Sequence, residues 1–242
     1  MNISNGRYWE KPWSLISSCT RCSEGCKNCW ALAMEKRFHK GIEGVIATHP
    51  DRLDVPLKRK KPTVYATWND MYHEGVSDEF RNRVFTTTEE CPQHTFLVLT
   101  KRITVNDYIK RVDMFWDMPN VYHGLTVCNQ QEADEKIPIF LQVPGKKFLS
   151  IEPMLGEINF RWMKWISREH STGHLDILKD ISCVILGGET GPGARPMHPD
   201  WVRSVRDQCK AVGVPFFLKH INKKEGRLLD GIEHNDLPWR NV

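Results

Sequence analysis

A cluster of cysteines near the start of the chain is the part of the sequence best suited to chemistry. Four of the eight cysteines lie within eleven residues, at Cys19, Cys22, Cys26 and Cys29. Thiolate sulfur binds both zinc and iron–sulfur clusters, so this density indicates a metal site. Only three residues separate the pair Cys19/Cys22 from the pair Cys26/Cys29, whereas zinc sites usually join two such pairs from segments about a dozen residues apart. The spacing therefore favours an iron–sulfur cluster over a single zinc ion.

Two cysteine triplets can each bind three irons of a [4Fe-4S] cluster and leave the fourth iron open. One triplet is Cys22, Cys26 and Cys29, with the spacing C-x3-C-x2-C; the other replaces Cys22 with Cys19. An open iron can bind a substrate or cofactor, whereas a cluster with four cysteine ligands usually only carries electrons. C-x3-C-x2-C is the signature of radical S-adenosyl-L-methionine (SAM) enzymes, whose open iron chelates the amino and carboxylate groups of SAM. The residues alone leave both triplets open.

Residues 18–31 resemble a wider pattern, G-C-T-x-x-S-x-G-C-x-x-C-[YW]-A, of a phage-enriched family of unknown function with radical-SAM character. On that pattern the metal ligands are Cys19, Cys26 and Cys29, Cys22 occupies a variable position, and Ser18 replaces a frequent glycine. Further motifs of the family, L-T-K-R, S-x-E-P, G-G-E-[ST]-G, G-A-R-P-M and F-F-x-K, have counterparts at residues 99–102, 150–153, 187–191, 193–197 and 216–219. The resemblance covers most of residues 13–220. It implies a radical-SAM barrel with a [4Fe-4S] cluster and SAM as cofactors.

Composition bounds the class of protein. The 242 residues are 40% hydrophobic and 26% charged, which is typical of a globular protein and sufficient for one barrel domain. No apolar run approaches the ~20 residues that cross a bilayer, and the N-terminus lacks the apolar core of a signal peptide. We therefore expect a cytoplasmic protein (in the host cytoplasm if phage-encoded) with no membrane partner. In that compartment Cys91, Cys128, Cys183 and Cys209 are expected to be reduced and buried.

Strand-like and helix-like segments alternate along the chain. Short apolar, β-branched runs predict strands at residues 13–17, 63–68, 95–99, 121–127, 147–151, 182–186 and 214–218. Helix formers and caps predict helices at residues 31–39, from Ser77 onward, and at 104–114, 130–141 and 200–212. This alternation predicts an α/β fold with a single parallel (β/α) barrel, complete or partial, over residues 1–242. The tail at 221–242 is expected to pack on one end, while residues 156–180 have no secure placement.

Polar residues follow nearly every predicted strand directly. In an α/β barrel, functional groups gather at the carboxyl ends of the strands. The residues at these positions include Asn69, Asp70, His73 and Glu74, then Lys101 and Arg102, Glu152, the run Gly187–Gly191 with Arg195 and His198, and finally Lys219 and His220. The sequence therefore predicts a site at this end of the barrel.

Roles can be assigned to these residues by side-chain type. Gly187 and Gly188 allow a ligand to approach the backbone closely, and Glu152 and Glu189 can bind the ribose hydroxyls or the ammonium of SAM. Guanidinium and ammonium groups suit a SAM carboxylate or a substrate phosphate. The predicted cofactor contacts are Asn69, Glu152, Gly187, Gly188, Glu189 and Arg195. The predicted substrate contacts are Lys101, Arg102 and Lys219. The alternative for each carboxylate is an ion pair with a nearby Lys or Arg, and no catalytic side chain is assigned.

The function implied is a radical-SAM enzyme that takes an electron from an external donor, forms a 5′-deoxyadenosyl radical and abstracts a hydrogen from its substrate. A net charge of +4 permits nucleic-acid binding without requiring it. The phage association, the nine tryptophans and the basic runs, Lys58–Lys61 among them and expected at the barrel mouth, favour a nucleobase or modified nucleotide in DNA. One example is the isomerisation of an amino-acid-modified thymidine. A non-catalytic metal-stabilised nucleic-acid-binding module leaves the charged strand ends unexplained, and a zinc hydrolase lacks H-E-x-x-H spacing.

Overall fold

A computed structural model describes residues 5–39, 43–103, 117–160, 177–222 and 225–240. The strands in chain order are β1 (Lys11–Trp13), β2 (Ile16–Ser17), β3 (Ala47–Thr48), β4 (Val64–Thr67), β5 (Thr95–Thr100), β6 (Val121–Thr126), β7 (Lys146–Ile151), β8 (Cys183–Gly187), β9 (Phe216–His220), β10 (Leu228–Leu229) and β11 (Ile232–Glu233). The α-helices are α1 (Trp30–Met34), α2 (Asp78–Glu89), α3 (Gln130–Leu141) and α4 (Pro199–Val212).

Seven strands form one parallel sheet in the order β1-β4-β5-β6-β7-β8-β9. Helical crossovers connect parallel strands, so the alternation seen in the sequence produces this topology. Within the described part of the chain, β1 and β9 do not pair with each other. The predicted parallel α/β architecture is therefore confirmed in its partial form, as a curved, open sheet that resembles half a barrel.

The two faces of the sheet bury different sets of side chains, because successive residues of a strand point to opposite sides. The outer face packs against the helices, where Phe96 and Val98 join Phe80 and Val84 of α2 in one apolar cluster. The inner, concave face forms a second cluster whose members are Tyr8, Val64, Ala66, Leu97, Tyr122, Phe148, Cys183, Ile185, Phe217, Leu237 and Trp239. No residue of the four α-helices belongs to that second cluster.

The C-terminal tail covers one end of this inner face. Trp239 is almost completely buried, and its indole Nε1 donates a hydrogen bond of 2.9 Å to the carbonyl of Tyr8. Asn235 forms an isolated antiparallel bridge with Phe217 of β9. The tail and the N-terminal segment therefore meet at the inner surface of the sheet.

Most element boundaries agree with the sequence prediction, and the exceptions have local causes. Ser77 caps α2 by accepting a hydrogen bond from the backbone of Phe80, and Gly213 ends α4 with a left-handed φ of 74°. The predicted first strand is wrong in extent: β1 lies earlier, and β2 pairs antiparallel with β3 instead of joining the main sheet. β9 begins after Pro215 and continues to His220, so Lys219 lies inside the strand. The predicted helix at 104–114 falls outside the described residues, as does much of 156–180.

No helix in the described ranges is long and apolar enough to cross a membrane.

Candidate functional site

A cavity of about 320 Å³ opens at the carboxyl ends of the parallel strands. All four cysteines of the loop at residues 19–29, called the cysteine loop below, line it. The other lining residues are 5–9 of the N-terminal segment, Trp30, Ala31 and Leu32 of α1, residues 66–70 and Leu97 and 99–101 near the ends of β4 and β5, Thr126 of β6, Phe148, Ser150 and Glu152 of β7, and Lys219 of β9. Side chains from distant parts of the sequence thus meet the cysteine loop in one space.

The cysteine loop sits directly on the end of β6. Its turn at Glu24–Cys26 places Gly25 so close to Cys128 that a Cβ on this glycine would lie 2.3 Å from the Cys128 sulfur. Cys128 is fully buried, so its sulfur has little room to move aside. A side chain at position 25 would therefore clash with Cys128 when the loop is in this position. This clash explains the glycine between Cys22 and Cys26.

The protonation of Cys26 is coupled to that of Cys22. A hydrogen bond from the Cys22 thiol lowers the pKa of Cys26 to about 4, and Ser23 and Lys101 act in the same direction. The same interaction raises the pKa of Cys22. The interaction therefore favours the thiolate form of Cys26, which is the form that binds metals.

The thiols fit an iron–sulfur cluster in the chemistry of their donor atoms. Among the described residues no three His, Cys, Asp or Glu side chains converge as a single metal ion requires. A [4Fe-4S] cluster makes a different demand, because each cysteine binds a different iron and the sulfurs surround the cluster. Cys19, Cys26 and Cys29 all face the one cavity and are all free of disulfides.

Arg102 holds the Cys19 side of the cysteine loop. Its guanidinium Nη2 donates to the Thr20 carbonyl at 2.6 Å and also to the Thr20 hydroxyl, and Nη1 lies 3.4 Å from the Glu74 carboxylate. His73, whose pKa is lowered by burial and by Arg102, is 2.9 Å from the same hydroxyl. Arg102 does not line the cavity. The guanidinium binds the cysteine loop in this arrangement, and the substrate contact expected of it stays a prediction.

Asp70 is a buried carboxylate that the sequence analysis noted without giving it a role. It accepts hydrogen bonds from the Thr100 hydroxyl at 2.8 and 2.9 Å and from the Lys101 backbone at 3.1 Å. Burial raises its pKa, and these hydrogen bonds oppose the rise. Asp70 therefore joins the ends of β4 and β5. Its neighbour Asn69, in the left-handed region at φ 62°, lines the cavity while its amide donates to the carbonyl of Ile16.

Glu189 and Arg195 form an ion pair that holds the other side of the cysteine loop. The guanidinium of Arg195 donates to both carboxylate oxygens of Glu189, at 2.5 and 3.0 Å, and Nη2 also reaches the Glu24 carbonyl at 2.9 Å. The Asn28 amide donates to Glu189 at 2.9 Å. Neither Glu189 nor Arg195 lines the cavity. Glu189 is therefore ion-paired in this structure, which is the alternative role named for it in the sequence analysis. The contacts of Glu189 and Arg195 with SAM remain a prediction.

The Glu189 ion pair makes stability depend on pH. The hydrogen bonds from Arg195 lower the pKa of Glu189 from 4.5 to about 2, so its stabilisation is complete above about pH 5 and disappears as the pH falls towards 2. We expect Glu189→Gln to lower the free energy of unfolding by about 1.5–3 kcal/mol at pH 7. Denaturant unfolding at several pH values should show the difference shrinking below pH 5.

A matched control for this change is Glu43→Gln. Glu43 pairs with Arg21 at 2.8 Å, but both side chains are nearly half exposed, and exposed pairs contribute about 1 kcal/mol or less. A Glu189→Gln protein as stable as the parent at pH 7 would contradict the loop-holding role.

Gly187 and Gly188 face the neighbouring strand. A Cβ on Gly188 would lie 2.1 Å from the Ile221 carbonyl oxygen, and the Gly188 carbonyl is 2.7 Å from the imidazole of His220. Gly187 has only ordinary contacts, the nearest to Lys219 at 3.4 Å. Gly188 therefore serves the close approach of the chain after β9. The predicted contact of these glycines with SAM is untested.

Three charged side chains meet inside the cavity around Glu152. The Lys219 ammonium is 2.5 Å from the Glu152 carboxylate, and the Lys101 ammonium donates to the Glu152 backbone carbonyl at 2.9 Å. Tyr8, whose pKa is raised by burial and by Glu152, lies beneath Lys219. Two residues predicted to bind substrate, Lys101 and Lys219, thus share the cavity with one predicted to bind the cofactor.

The expectation that Lys58–Lys61 borders the barrel mouth is wrong. This run precedes β4, whose carboxyl end faces the cavity, so it lies at the amino edge of the sheet. Arg59, for example, donates to the hydroxyl of Thr63. The physical reason is strand direction, because every strand of a parallel sheet presents its amino ends at the edge opposite the site.

The sequence assigns no role to several cavity residues. Tyr8, Trp9 and Trp68 belong to none of the motifs, whereas Thr126 lies at the end of a predicted strand and Trp30 and Ser150 lie within family motifs. The alternation of side chains along a strand could have predicted some of these residues. Leu97 and Phe148 face inward, so the residues two and four positions further along their strands face inward as well. The N-terminal segment carries no such pattern.

The profile of one family, described as protein of unknown function (DUF5131), matches residues 4–238 of the chain. Comparison with curated proteins and with solved structures produced no match.

Proposed function

For this chain, which belongs to the family of proteins of unknown function DUF5131, we propose the function of a radical-SAM enzyme with a [4Fe-4S] cluster. The observation that carries the proposal is the position of the cysteine loop. Four cysteines from eleven residues of sequence line one cavity at the carboxyl edge of a parallel, half-barrel sheet. That edge is where α/β barrels assemble their active sites.

Cys19, Cys26 and Cys29 are the proposed ligands of the cluster. When bound, such a cluster supplies the one-electron reductive cleavage of SAM, which yields methionine and a hydrogen-abstracting 5′-deoxyadenosyl radical. An external donor of the flavodoxin type, or a chemical reductant, provides the electron. The cysteine ligands are deprotonated in such sites, and the neighbouring Cys22, which lowers the pKa of Cys26, favours that state.

The surrounding residues orient the cysteine loop and limit access of water. Arg102 fixes Thr20 next to Cys19, and the pair of Glu189 and Arg195 fixes Asn28 next to Cys29. Trp30 and Trp68 meet edge to face, with ring centroids 5.3 Å apart, at the wall of the cavity. A dry, shaped cavity is what the protein must contribute to radical chemistry, because a reactive centre exposed to solvent is lost to side reactions.

The proposed substrate is a nucleobase or modified nucleotide, free or within DNA, with isomerisation of a modified thymidine as one example. Its support is the set of indoles on the cavity wall, Trp9, Trp30 and Trp68, together with the ammonium groups of Lys101 and Lys219. Flat aromatic side chains stack on bases, and cations neutralise phosphates. The basic run Lys58–Lys61 no longer contributes, since it lies at the opposite edge of the sheet.

The experiment that tests the function is anaerobic reconstitution with iron and sulfide. We expect about four irons per chain and the charge-transfer absorption of an iron–sulfur cluster. Addition of SAM and a reductant should then yield 5′-deoxyadenosine, measured by chromatography. A chain that binds one zinc tightly and takes up no iron would exclude the proposed function.

A further inference from the structure

Thr126 is a buried hydroxyl on the wall of the cavity. It is the last residue of β6 and is only 1% exposed. Its side chain lines the cavity, and across the described ranges its Oγ1 has no hydrogen-bond partner. A hydroxyl removed from water without a partner costs free energy, so a native structure seldom keeps one unless something else satisfies it.

Lys101 lies next to Thr126. Thr100, the last residue of β5, is paired in register with Leu125 of β6, so the next residues of the two segments, Lys101 and Thr126, come at the same level directly beyond that pair. On the other side, Thr126 is paired with Ser150 of β7. Alternation along each strand directs Lys101, Thr126 and Ser150 into the same space, and all three line the cavity.

Lys101 is an ammonium group with an incomplete set of partners. Its Nζ donates to the Glu152 carbonyl at 2.9 Å and makes a long contact of 4.0 Å with the Cys128 sulfur, and no carboxylate of the described residues lies within ion-pair distance of it. Lys219 differs, because it is paired with the Glu152 carboxylate. An ammonium has three protons to donate, so Lys101 retains one donor for a further acceptor inside the cavity.

Indole rings border the same cavity. Trp68 contacts Trp30 at 5.3 Å and Trp9 at 6.0 Å between ring centroids, both edge to face. Trp30 is 51% exposed although it is a large apolar side chain. Exposed indole surface beside a cavity is suited to packing against a flat ring.

We propose that Lys101 and Thr126 form an oxyanion-binding subsite for a substrate that combines a flat ring with a phosphate or carboxylate group. Lys101 supplies the charge and Thr126 donates its hydroxyl proton, while the ring packs against the indoles of Trp30 and Trp68. This inference rests on the proposed function for the identity of the site, and it names the substrate class. A cavity of about 320 Å³ lies at the lower end of the volumes that hold small organic ligands.

The first test uses the free protein. Thr126→Val keeps the shape of the side chain and removes the hydroxyl, so it should raise the melting temperature of the full-length chain, because a buried hydroxyl without a partner destabilises the free state. Thr126→Ser keeps the hydroxyl and should show no such gain. A lower melting temperature for Thr126→Val would mean that the hydroxyl already has a structural partner, and would overturn the proposal.

The second test measures binding by tryptophan fluorescence with four probes: thymidine 5′-monophosphate, thymidine, orotate and SAM. We expect one of the two anionic ring compounds to bind, and to bind at least tenfold more tightly than thymidine. Tighter binding of the monophosphate identifies a phosphate site, and tighter binding of orotate identifies a carboxylate site. Lys101→Met should weaken that anion roughly ten- to hundredfold and Thr126→Val about tenfold, as expected for hydrogen bonds to a charged group.

Lys210→Met, at an exposed position of α4, is the matched control and should leave binding unchanged. Equal affinity for thymidine and both anions, or anion binding that Lys101→Met does not weaken, would overturn the subsite. Loss of SAM binding alone in Lys101→Met would assign the lysine to the cofactor and overturn it as well. Iron uptake and SAM cleavage, measured on the same variants, separate the two proposals: the enzyme function fails if they are absent while anion binding persists.

Discussion

Anaerobic reconstitution of Cys19→Ala should leave the chain without a cluster, whereas Cys22→Ala should retain close to the four irons expected of the parent. The family pattern makes Cys19, Cys26 and Cys29 the ligands, and three thiolates are the least that hold an open four-iron cluster in place. In the structure, Cys19 is anchored through its neighbour Thr20, whereas Cys22 is exposed and keeps its proton beside Cys26. Iron content and the visible spectrum measure the outcome.

Cys91→Ala is the control for that series. Cys91 is buried and free, and it does not line the cavity, so its removal should not change iron uptake. If Cys22→Ala loses the cluster and Cys19→Ala keeps it, the ligands are Cys22, Cys26 and Cys29, and the alignment with the family pattern at residues 18–31 is wrong.

Gly25→Ala should displace the cysteine loop from its position against Cys128. The new methyl group would lie 2.3 Å from the Cys128 sulfur and 3.3 Å from the Pro153 ring, far inside normal contact distance. Overpacking of this kind costs about 1–3 kcal/mol, and here the strain falls on the loop itself. We expect reduced stability in denaturant unfolding and a large loss of iron uptake on reconstitution.

The double variant Gly25→Ala, Cys128→Ala identifies the cause. Removing the sulfur makes space for the methyl group, so the double variant should recover most of the stability and iron uptake that Gly25→Ala loses, with a coupling energy of about 1–3 kcal/mol. Gly156→Ala is the matched control, because its Cβ would meet Asn129 at an ordinary 3.6 Å. If Gly25→Ala takes up iron like the parent, the loop does not sit on Cys128 as described.

The charged residues beside the cysteine loop hold the loop in place on both of its sides. Arg102 binds the Thr20 side, and Glu189 with Arg195 binds the Asn28 side. The sequence predicts cofactor or substrate contacts for all three residues, and none of them lines the cavity of the free protein. Their ion pairs orient the loop that carries the cysteines, so substitution of any of them is expected to alter the loop before it alters a ligand contact.

Local sequence patterns predict most of the helices and strands, and also the end of the sheet at which the candidate site lies. Apolar runs, caps such as Ser77 and a C-terminal glycine such as Gly213 act over a few residues, so they can be read without knowing the tertiary structure. Polar residues directly after successive strands predicted a site at the carboxyl edge, since parallel strands bring those ends together. Lys101, Glu152 and Lys219 do meet there.

Which charged groups face the cavity and which pair with one another is set by three-dimensional contacts that the sequence does not reveal. Glu152 and Glu189 follow strands in the same way, yet the first lines the cavity and the second is paired with Arg195 outside it. The difference depends on which partner each carboxylate meets: Glu152 meets Lys219 of β9, far along the chain, whereas Glu189 meets Arg195 in the loop that follows it. The role proposed for Thr126 also depends on the tertiary structure. Whether a buried hydroxyl has a hydrogen-bond partner among the described residues can be seen only from the residues around it in space.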